Sequence, residues 1–164
     1  MSVSTFCEFF NVNHQRIKTM NQQKLRIKKL DERAVVPKYA KPGDAGMDLT
    51  AIDCELDTER KQVRYRFGLA FEIPEGYVGL IFPRSSVVKK DMTLANCVGV
   101  IDSGYRGEVT AVFNMLPRAR GDIYNVGARI AQLVVVPFAH CEIEETDELS
   151  ETERGVGGYG STGK

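Results

Sequence analysis

The sequence predicts an all-β protein, folded as a sandwich, a jelly roll or a small barrel. From Lys24 onward, short segments rich in β-branched and aromatic residues alternate with Gly, Pro and Asp, which is the pattern of strands joined by tight turns. No segment keeps a helical period beyond one or two turns. Many short strands joined in this way are typical of antiparallel β architectures.

Five strands can be placed along the chain. The clearest covers residues 63–73, where apolar residues alternate with polar or small ones, so one face should point to the core and the other to solvent. The segment 133–138 is apolar enough to be buried on both faces. The remaining predicted strands are 25–30, 77–82 and 109–115.

A hairpin is predicted around Asp102. The segments 94–101 and 107–113 both have strand character and flank the turn Asp102-Ser103-Gly104-Tyr105-Arg106. Asp-Ser-Gly is a common turn sequence, and taken alone it indicates only that Asp102 caps a turn.

Length and composition indicate one globular domain. The chain has 164 residues, of which 43% are hydrophobic and 27% charged, so it is long enough for a core of its own. Its 22 basic and 22 acidic residues cancel. A chain without net charge gives no field that would attract nucleic acid or an anionic membrane, although a few converging arginines could still bind a small anion.

The cysteines point to a reducing compartment. Cys7, Cys54, Cys97 and Cys141 lie far apart without a CxxC pair, which argues against a zinc site. The chain also lacks a signal peptide and an apolar run of the roughly 20 residues needed to cross a bilayer. These observations predict a soluble cytoplasmic protein with four reduced thiols.

The two ends differ in texture from the β domain, which is predicted to cover residues 24–145. Residues 1–23 form an N-terminal extension that is a helix, a disordered arm or a segment upstream of a true start at Met20. Residues 146–164 begin acidic and become glycine-rich, which is typical of a flexible tail. This tail matches two phosphate-loop patterns, GxGxxG and GxxxxGK, but neither has the following helix that such a loop requires.

Five short motifs follow one another in a fixed order. Each one alone is compatible with an ordinary turn or strand end. Together they closely resemble the five ordered motifs of the trimeric dUTP pyrophosphatases, and the resemblance runs from about Lys24 to the last residue. The motifs are AGMDL at 45–49, PRSS at 83–86, NCVGVIDSGYRGEV at 96–109, RIAQL at 129–133 and RGVGGYGSTG at 154–163.

The resemblance implies a jelly-roll-like homotrimer whose active sites are each built from all three chains, with the C-terminal arm closing over a neighbouring site. It implies hydrolysis of dUTP to dUMP and pyrophosphate, which limits uracil incorporation in DNA and supplies dUMP for dTMP synthesis. Asp102 matches the carboxylate that activates the water attacking the α-phosphorus. The cofactor would be Mg²⁺ on the triphosphate, and Asp48 matches an acid that contacts this ion only through water.

The substrate-binding residues are carried over motif by motif. Asn96 and the backbone up to Ile101 match the groups that read the uracil edge, and Tyr105 matches the aromatic residue beneath the deoxyribose. Tyr159 stands where the family usually has a phenylalanine on the uracil, and Ser86 stands where it commonly has glycine. The full set implied is Arg84, Ser85, Ser86, Gln132, Arg154, Gly160, Ser161 and Thr162 for the phosphates, and Asn96, Gly99, Val100, Ile101, Tyr105 and Tyr159 for the nucleoside.

Two alternative functions belong to other classes. A dCTP deaminase shares the architecture but attacks the base ring, and a non-catalytic trimer could keep the fold to sense the nucleotide. The glycine-rich tail and Asp102 favour hydrolysis at phosphorus over both.

Overall fold

The computed structural model describes residues 23–116 and 122–158. Within them, one short 3₁₀ helix, Ser85–Lys89, interrupts a succession of strands. The strands are β1 Arg26–Lys29, β2 Met47–Thr50, β3 Asp53–Asp57, β4 Gln62–Arg66, β5 Leu69–Glu72, β6 Tyr77–Pro83, β7 Met92–Leu94, β8 Gly99–Ile101, β9 Thr110–Met115 and β10 Arg129–Pro137.

The strands form two four-stranded sheets and one small ribbon. The first sheet has the order β2-β10-β6-β8, the second has the order β3-β4-β9-β7, and β1 pairs with β5. Every pairing is antiparallel. The prediction of an all-β sandwich is therefore confirmed.

One hydrophobic core joins the inner faces of the two large sheets. Leu49 and Leu133 from the first sheet and Tyr65 and Phe113 from the second are fully buried in the same cluster. The rings of Tyr65 and Phe113 meet edge to face at 5.9 Å, which is a favourable aromatic geometry. Burial raises the pKa of Tyr65 to about 12, so its hydroxyl stays protonated and donates to the Tyr124 carbonyl at 2.8 Å.

The predicted strand 63–73 is wrong in one respect, because it is two strands in different sheets. Its apolar residues are buried as expected, but the chain turns at Gly68, where φ is +65°. A side chain does not fit there, since a Cβ atom would lie 2.5 Å from Ile52 Cδ1 and 2.9 Å from Asp31 Cβ. Alternation alone predicted burial correctly but could not show where the strand breaks.

Gly68→Ala is expected to destabilise the fold by roughly 2–5 kcal/mol. The left-handed backbone costs an alanine about 1–2 kcal/mol, and the overlap with packed neighbours adds about 1–3 kcal/mol. Gly76→Ala is the matched control, because Gly76 also has a positive φ of +79° but has no atom within 4 Å of the added Cβ. Chemical denaturation of both variants at equal protein concentration measures the difference, and equal losses would contradict the packing argument.

Two further expectations need correction. Segments 94–101 and 107–113 do not form the predicted hairpin around Asp102: Leu94 and Ala95 do pair with Phe113 and Val112, but β8, next to the turn, pairs with β6 instead. The end of the predicted strand 133–138 is not buried on both faces: residues 134–136 are half-buried and Phe138 is 46% exposed. The outer face of this sheet is apolar there, and no segment within residues 23–116 and 122–158 fully covers that end.

The ends and the cysteines complete the description. The N-terminal extension lies outside the described residues except for Gln23. Cys54, Cys97 and Cys141 are free thiols, as predicted, and Cys7 lies outside the described part. Among the described residues, no helix has the length and apolar character required to cross a membrane.

Candidate active site

A cleft of about 390 Å³ opens along strand β8. We call it the β8 cleft. It is lined on one side by the predicted residues Asn96, Gly99, Val100 and Ile101, and on the other by residues 110–112 of β9. Because β8 is the last strand of its sheet, one edge of its backbone has no strand partner among the described residues. Such an edge offers N–H and C=O groups to a planar ligand with complementary donors and acceptors.

The predicted Asn96 side chain faces this cleft at the turn between β7 and β8. A Cβ atom on Gly99 would lie 3.6 Å from Asn96 Nδ2 and only 3.1 Å from Ile81 Cβ, so glycine lets β8 pack closely against β6 beside this side chain. The turn is tight: Cys97 has a φ of +60°, and its N–H donates to the Leu94 carbonyl at 3.1 Å. The missing hairpin and the cleft have one cause, since β8 and β9 separate into different sheets at this point.

A second cleft of about 180 Å³ adjoins the first and contains Asp102 and Tyr105. The two clefts share Val100 and Ile101 in their walls, so a ligand could extend from one into the other. Asp102 is exposed, and its backbone carbonyl accepts a hydrogen bond from the Tyr105 N–H at 3.1 Å. An exposed carboxylate can accept a proton from a neighbouring water molecule.

A separate charged cluster lies at the far end of the same sheet. Asp48 on β2 accepts from Arg84 Nε at 2.8 Å through one oxygen and from Arg129 at 3.0 Å through the other. Gln132 also donates to Asp48, at 3.2 Å. We call these four residues the Asp48 cluster. Its two guanidinium groups against one carboxylate leave a net positive charge, which suits a polyanion such as a triphosphate.

The serines of the second motif begin the 3₁₀ helix directly after Arg84. Ser85 is exposed, whereas the Ser86 hydroxyl is 2.9 Å from the hydroxyl of Tyr124. Tyr124 is 5% exposed, and the Lys90 ammonium lies 5.5 Å from its ring centre. Ser86, which stands where the family commonly has glycine, is therefore hydrogen-bonded through its hydroxyl to a buried tyrosine.

The two groups of predicted residues lie far apart in one chain. Ile101 pairs with Gly79 of β6, which sets Asp102 beside Val78, and Arg84 follows the opposite end of the same strand. The six residues of extended strand from Val78 to Arg84 separate Asp102 from Arg84 by roughly 20 Å along β6. A single chain thus brings Asp102, Tyr105 and the β8 cleft together, and separately Asp48, Arg84 and Gln132, but it does not bring the two groups together.

The described part of the tail stands away from both groups. Ile143 is 95% and Leu149 87% exposed, although both are large apolar residues. Within the described part of the chain, Arg154 donates to the Gly157 carbonyl of its own turn at 3.0 Å. The predicted residues Tyr159, Gly160, Ser161 and Thr162 lie outside the described residues.

Three residues of the site were missed by sequence reasoning. Arg129 opens the fourth motif, and its position in RIAQL was the signal that could have drawn attention to it. Glu108 is the second-last residue of the third motif and binds the loop that follows Asp102 to the rest of the fold. Tyr124 had no signal, because no pattern links it to Ser86, from which it is separated by 38 positions.

Comparison with known proteins agrees with these motifs. The dUTPase family model matches residues 32–163. A deoxyuridine 5'-triphosphate nucleotidohydrolase of Picosynechococcus sp. is 42% identical over 142 residues, which are 85% of this chain and 98% of that protein. A protein of the same name from Cutibacterium acnes is 43% identical over 133 residues, which are 78% of this chain and 85% of that protein.

Solved structures show the same architecture. The dUTPase of Staphylococcus bacteriophage 80alpha, solved with dUpNHpp, superposes with a TM-score of 0.74 at 29% identity, over 87% of this chain and all of that one. A mutant dUTPase of phage phi11, described as coordinating a structural Mg(II) ion, has a TM-score of 0.63 at 25% identity, over 77% of this chain and 98% of that one. With its family model matched over most of its length and its relatives above 40% identity, the chain belongs to the dUTPase family.

Proposed function

We propose that this chain hydrolyses dUTP to dUMP and pyrophosphate. The observation that carries the proposal is the continuity of the β8 cleft with the cleft that holds Asp102 and Tyr105. The β8 cleft would hold the base, the Tyr105 ring would lie under the sugar, and Asp102 would face the α-phosphate. This is the order in which a nucleotide presents these three groups. The chain's relatives named deoxyuridine 5'-triphosphate nucleotidohydrolase support the same reaction.

Uracil selection follows from the unpaired edge of β8. The backbone between Gly99 and Ile101 and the Asn96 amide supply donors and acceptors for the uracil edge. Cytosine presents the opposite donor pattern and would leave buried polar groups without partners, which such sites reject strongly. Thymine differs by one methyl group, which the narrow slot excludes. Tyr105 beneath the deoxyribose leaves no room for a 2′-hydroxyl.

Asp102 acts as the general base. Its carboxylate accepts a proton from a water molecule while the water oxygen forms a bond to the α-phosphorus, and the bond from that phosphorus to the bridging oxygen breaks. Pyrophosphate leaves with the electron pair of that bond, and dUMP remains. General-base assistance of this kind contributes about 10²–10⁴-fold, and positioning and charge neutralisation supply the rest.

The Asp48 cluster and the second-motif serines bind the phosphates. Arg84 and Gln132 provide charge and hydrogen bonds, Ser85 and Ser86 lie beside them, and Arg154 with the glycine-rich tail closes over the outer phosphates. Mg²⁺ bound to the triphosphate would neutralise the charge that develops on the leaving group. Both oxygens of Asp48 already accept hydrogen bonds. This fits an ion that reaches Asp48 only through water and is held mainly by the substrate.

The site is completed by other copies of this chain in a homotrimer. The separation of roughly 20 Å between the levels of Asp102 and Arg84 supports this, because a general base and a phosphate clamp must act on one triphosphate. The apolar side chains of the tail, such as Ile143, also support it, because the described residues of one chain leave them exposed. The proposed location is cytoplasmic, which the free thiols support.

The test is pyrophosphate release from dUTP, dCTP, dTTP and UTP with Mg²⁺. We expect rapid release from dUTP and release from the other three that is slower by at least about 10²-fold, since the site reads hydrogen-bonding groups. Ammonia release from dCTP would favour the deaminase alternative instead. Tight dUTP binding without any pyrophosphate would leave the nucleotide-sensing trimer and refute the enzyme.

A further inference from the structure

The loop that carries Asp102 lacks the support that a hairpin would give. The Asp102 loop, residues 102–109, leaves β8 in one sheet and enters β9 in the other, so no ladder of hydrogen bonds joins its two ends. A loop in an active site needs rigid support, because a displacement of about 1 Å can lower a rate by about 10²-fold.

Glu108 joins the loop to the second sheet through both carboxylate oxygens. One oxygen accepts from the Gly68 N–H at 2.9 Å. The other accepts from Arg66 Nε at 3.1 Å and from an Arg66 terminal nitrogen at 3.0 Å. The Glu108 side chain is 21% exposed and that of Arg66 is 41% exposed, so the carboxylate is the more shielded partner of this ion pair. Its hydrogen bond is the leading cause that raises the pKa of Arg66.

The point to which Glu108 binds is itself rigid. Gly68 lies at the break between β4 and β5, where its N–H points out of the strand ladder, and it is packed against Ile52, Asp31 and Ala34 so closely that no side chain fits. The N–H of Val109, the last residue of the Asp102 loop, donates to the Leu69 carbonyl at 2.9 Å. Hydrogen bonds to a charged carboxylate are stronger than those between neutral groups, and here the backbone donor is rigid.

The backbone of Glu108 extends this support to the reacting end of the loop. Its carbonyl accepts from the Tyr105 hydroxyl at 3.1 Å. The Tyr105 ring packs over Gly107, where an added Cβ atom would collide with it. The Tyr105 N–H in turn donates to the Asp102 carbonyl at 3.1 Å. Two consecutive hydrogen bonds therefore lead from Glu108 to the backbone of Asp102.

We infer that Glu108 is a positioning residue for dUTP hydrolysis, which holds Tyr105 and Asp102 in place by binding Gly68 and Arg66. The inference rests on the proposed function. Glu108 does not touch the substrate. Without its contacts, both Asp102, which activates water, and the Tyr105 ring, which excludes a 2′-hydroxyl, are displaced. The rate of hydrolysis and the selectivity for deoxyribose over ribose therefore fall together.

Glu108→Gln tests this with little change in shape. The amide keeps an oxygen for Gly68 but turns an NH₂ group toward the Arg66 donors, so the pair no longer forms. We expect kcat for dUTP to fall about 10–100-fold and the ratio of kcat/KM for dUTP over UTP to fall about 10-fold. Partial unfolding lowers both substrates equally and leaves that ratio unchanged, so the ratio separates positioning from mere stability.

Glu72→Gln is the matched control, because Glu72 also pairs with an arginine across two strands, Arg26 at 2.5 Å, but at the opposite end of β5 from Leu69, which contacts the Asp102 loop. It should behave as wild type. If Glu108→Gln does not fold, Arg66→Lys keeps the charge without the fork and should shift both quantities in the same direction by less. A wild-type enzyme that hydrolyses dUTP while the Glu108 and Arg66 variants keep its kcat and its selectivity would overturn the inference alone. A wild-type chain that does not hydrolyse dUTP would overturn the proposed function and the inference with it.

Discussion

Replacing Asp102 by asparagine is expected to lower kcat for dUTP hydrolysis by about 10²–10⁴-fold while dUTP still binds. The amide has nearly the same shape as the carboxylate but cannot accept the proton of the attacking water. The backbone carbonyl of residue 102 keeps its hydrogen bond from the Tyr105 N–H, so the loop should hold its conformation. The β8 cleft, in which we propose that the base binds, is unchanged.

Single-turnover pyrophosphate release measures the loss, and binding of dUpNHpp measures the affinity. Asp57→Asn is the control, since Asp57 ends β3 and pairs with Arg60 at 3.3 Å, on a strand that contributes nothing to either cleft. It should keep full activity. An Asp102→Asn enzyme with wild-type kcat would show that another group activates the water.

Alternation and motif order predicted the parts of the fold that depend on local chemistry. Residues 63–73 are buried in the predicted pattern because every second side chain of an extended chain points to one face. The break at Gly68 was not predicted, because it depends on Ile52 and Asp31 occupying the space of a side chain. Such a contact between distant segments leaves no periodic trace in the sequence.

In the candidate site, too, residues were predicted from local motifs, whereas contacts between distant residues were not. Asp102, Asn96 and Tyr105 were predicted from motifs that resemble a known family, and the structure brings them into two adjoining clefts. The contacts of Arg129 with Asp48 and of Tyr124 with Ser86 were not predicted, because each joins residues far apart in sequence. The incorrectly predicted hairpin has a similar origin: two strand-like segments around a turn suggest pairing, but β8 pairs with β6 in one sheet while β9 pairs with β4 and β7 in the other.

Two inactive variants, Asp102→Asn and Arg84→Ala, are expected to restore activity to each other when their chains assemble together. Asp102 and Arg84 lie at opposite ends of β6 in one chain, so the proposed site takes them from two different chains. Under random assembly, one chain supplies an intact Asp102 with a chance of about one half and its neighbour an intact Arg84 with the same chance, so about one quarter of the sites regain both groups.

Co-refolded mixtures at equal ratio, assayed for dUTP hydrolysis per site, measure this recovery. The control is a mixture of wild type with the doubly substituted chain, Asp102→Asn with Arg84→Ala, in which the same counting also leaves about one quarter of the sites intact. The two mixtures should therefore match, whichever neighbour supplies which group. If each chain supplied both groups to its own site, the first mixture would stay inactive, because every chain lacks one of the groups. The second mixture would then retain about half of the wild-type activity, because half of its chains are intact. Equal activity of the two mixtures is expected only when the site is shared between chains.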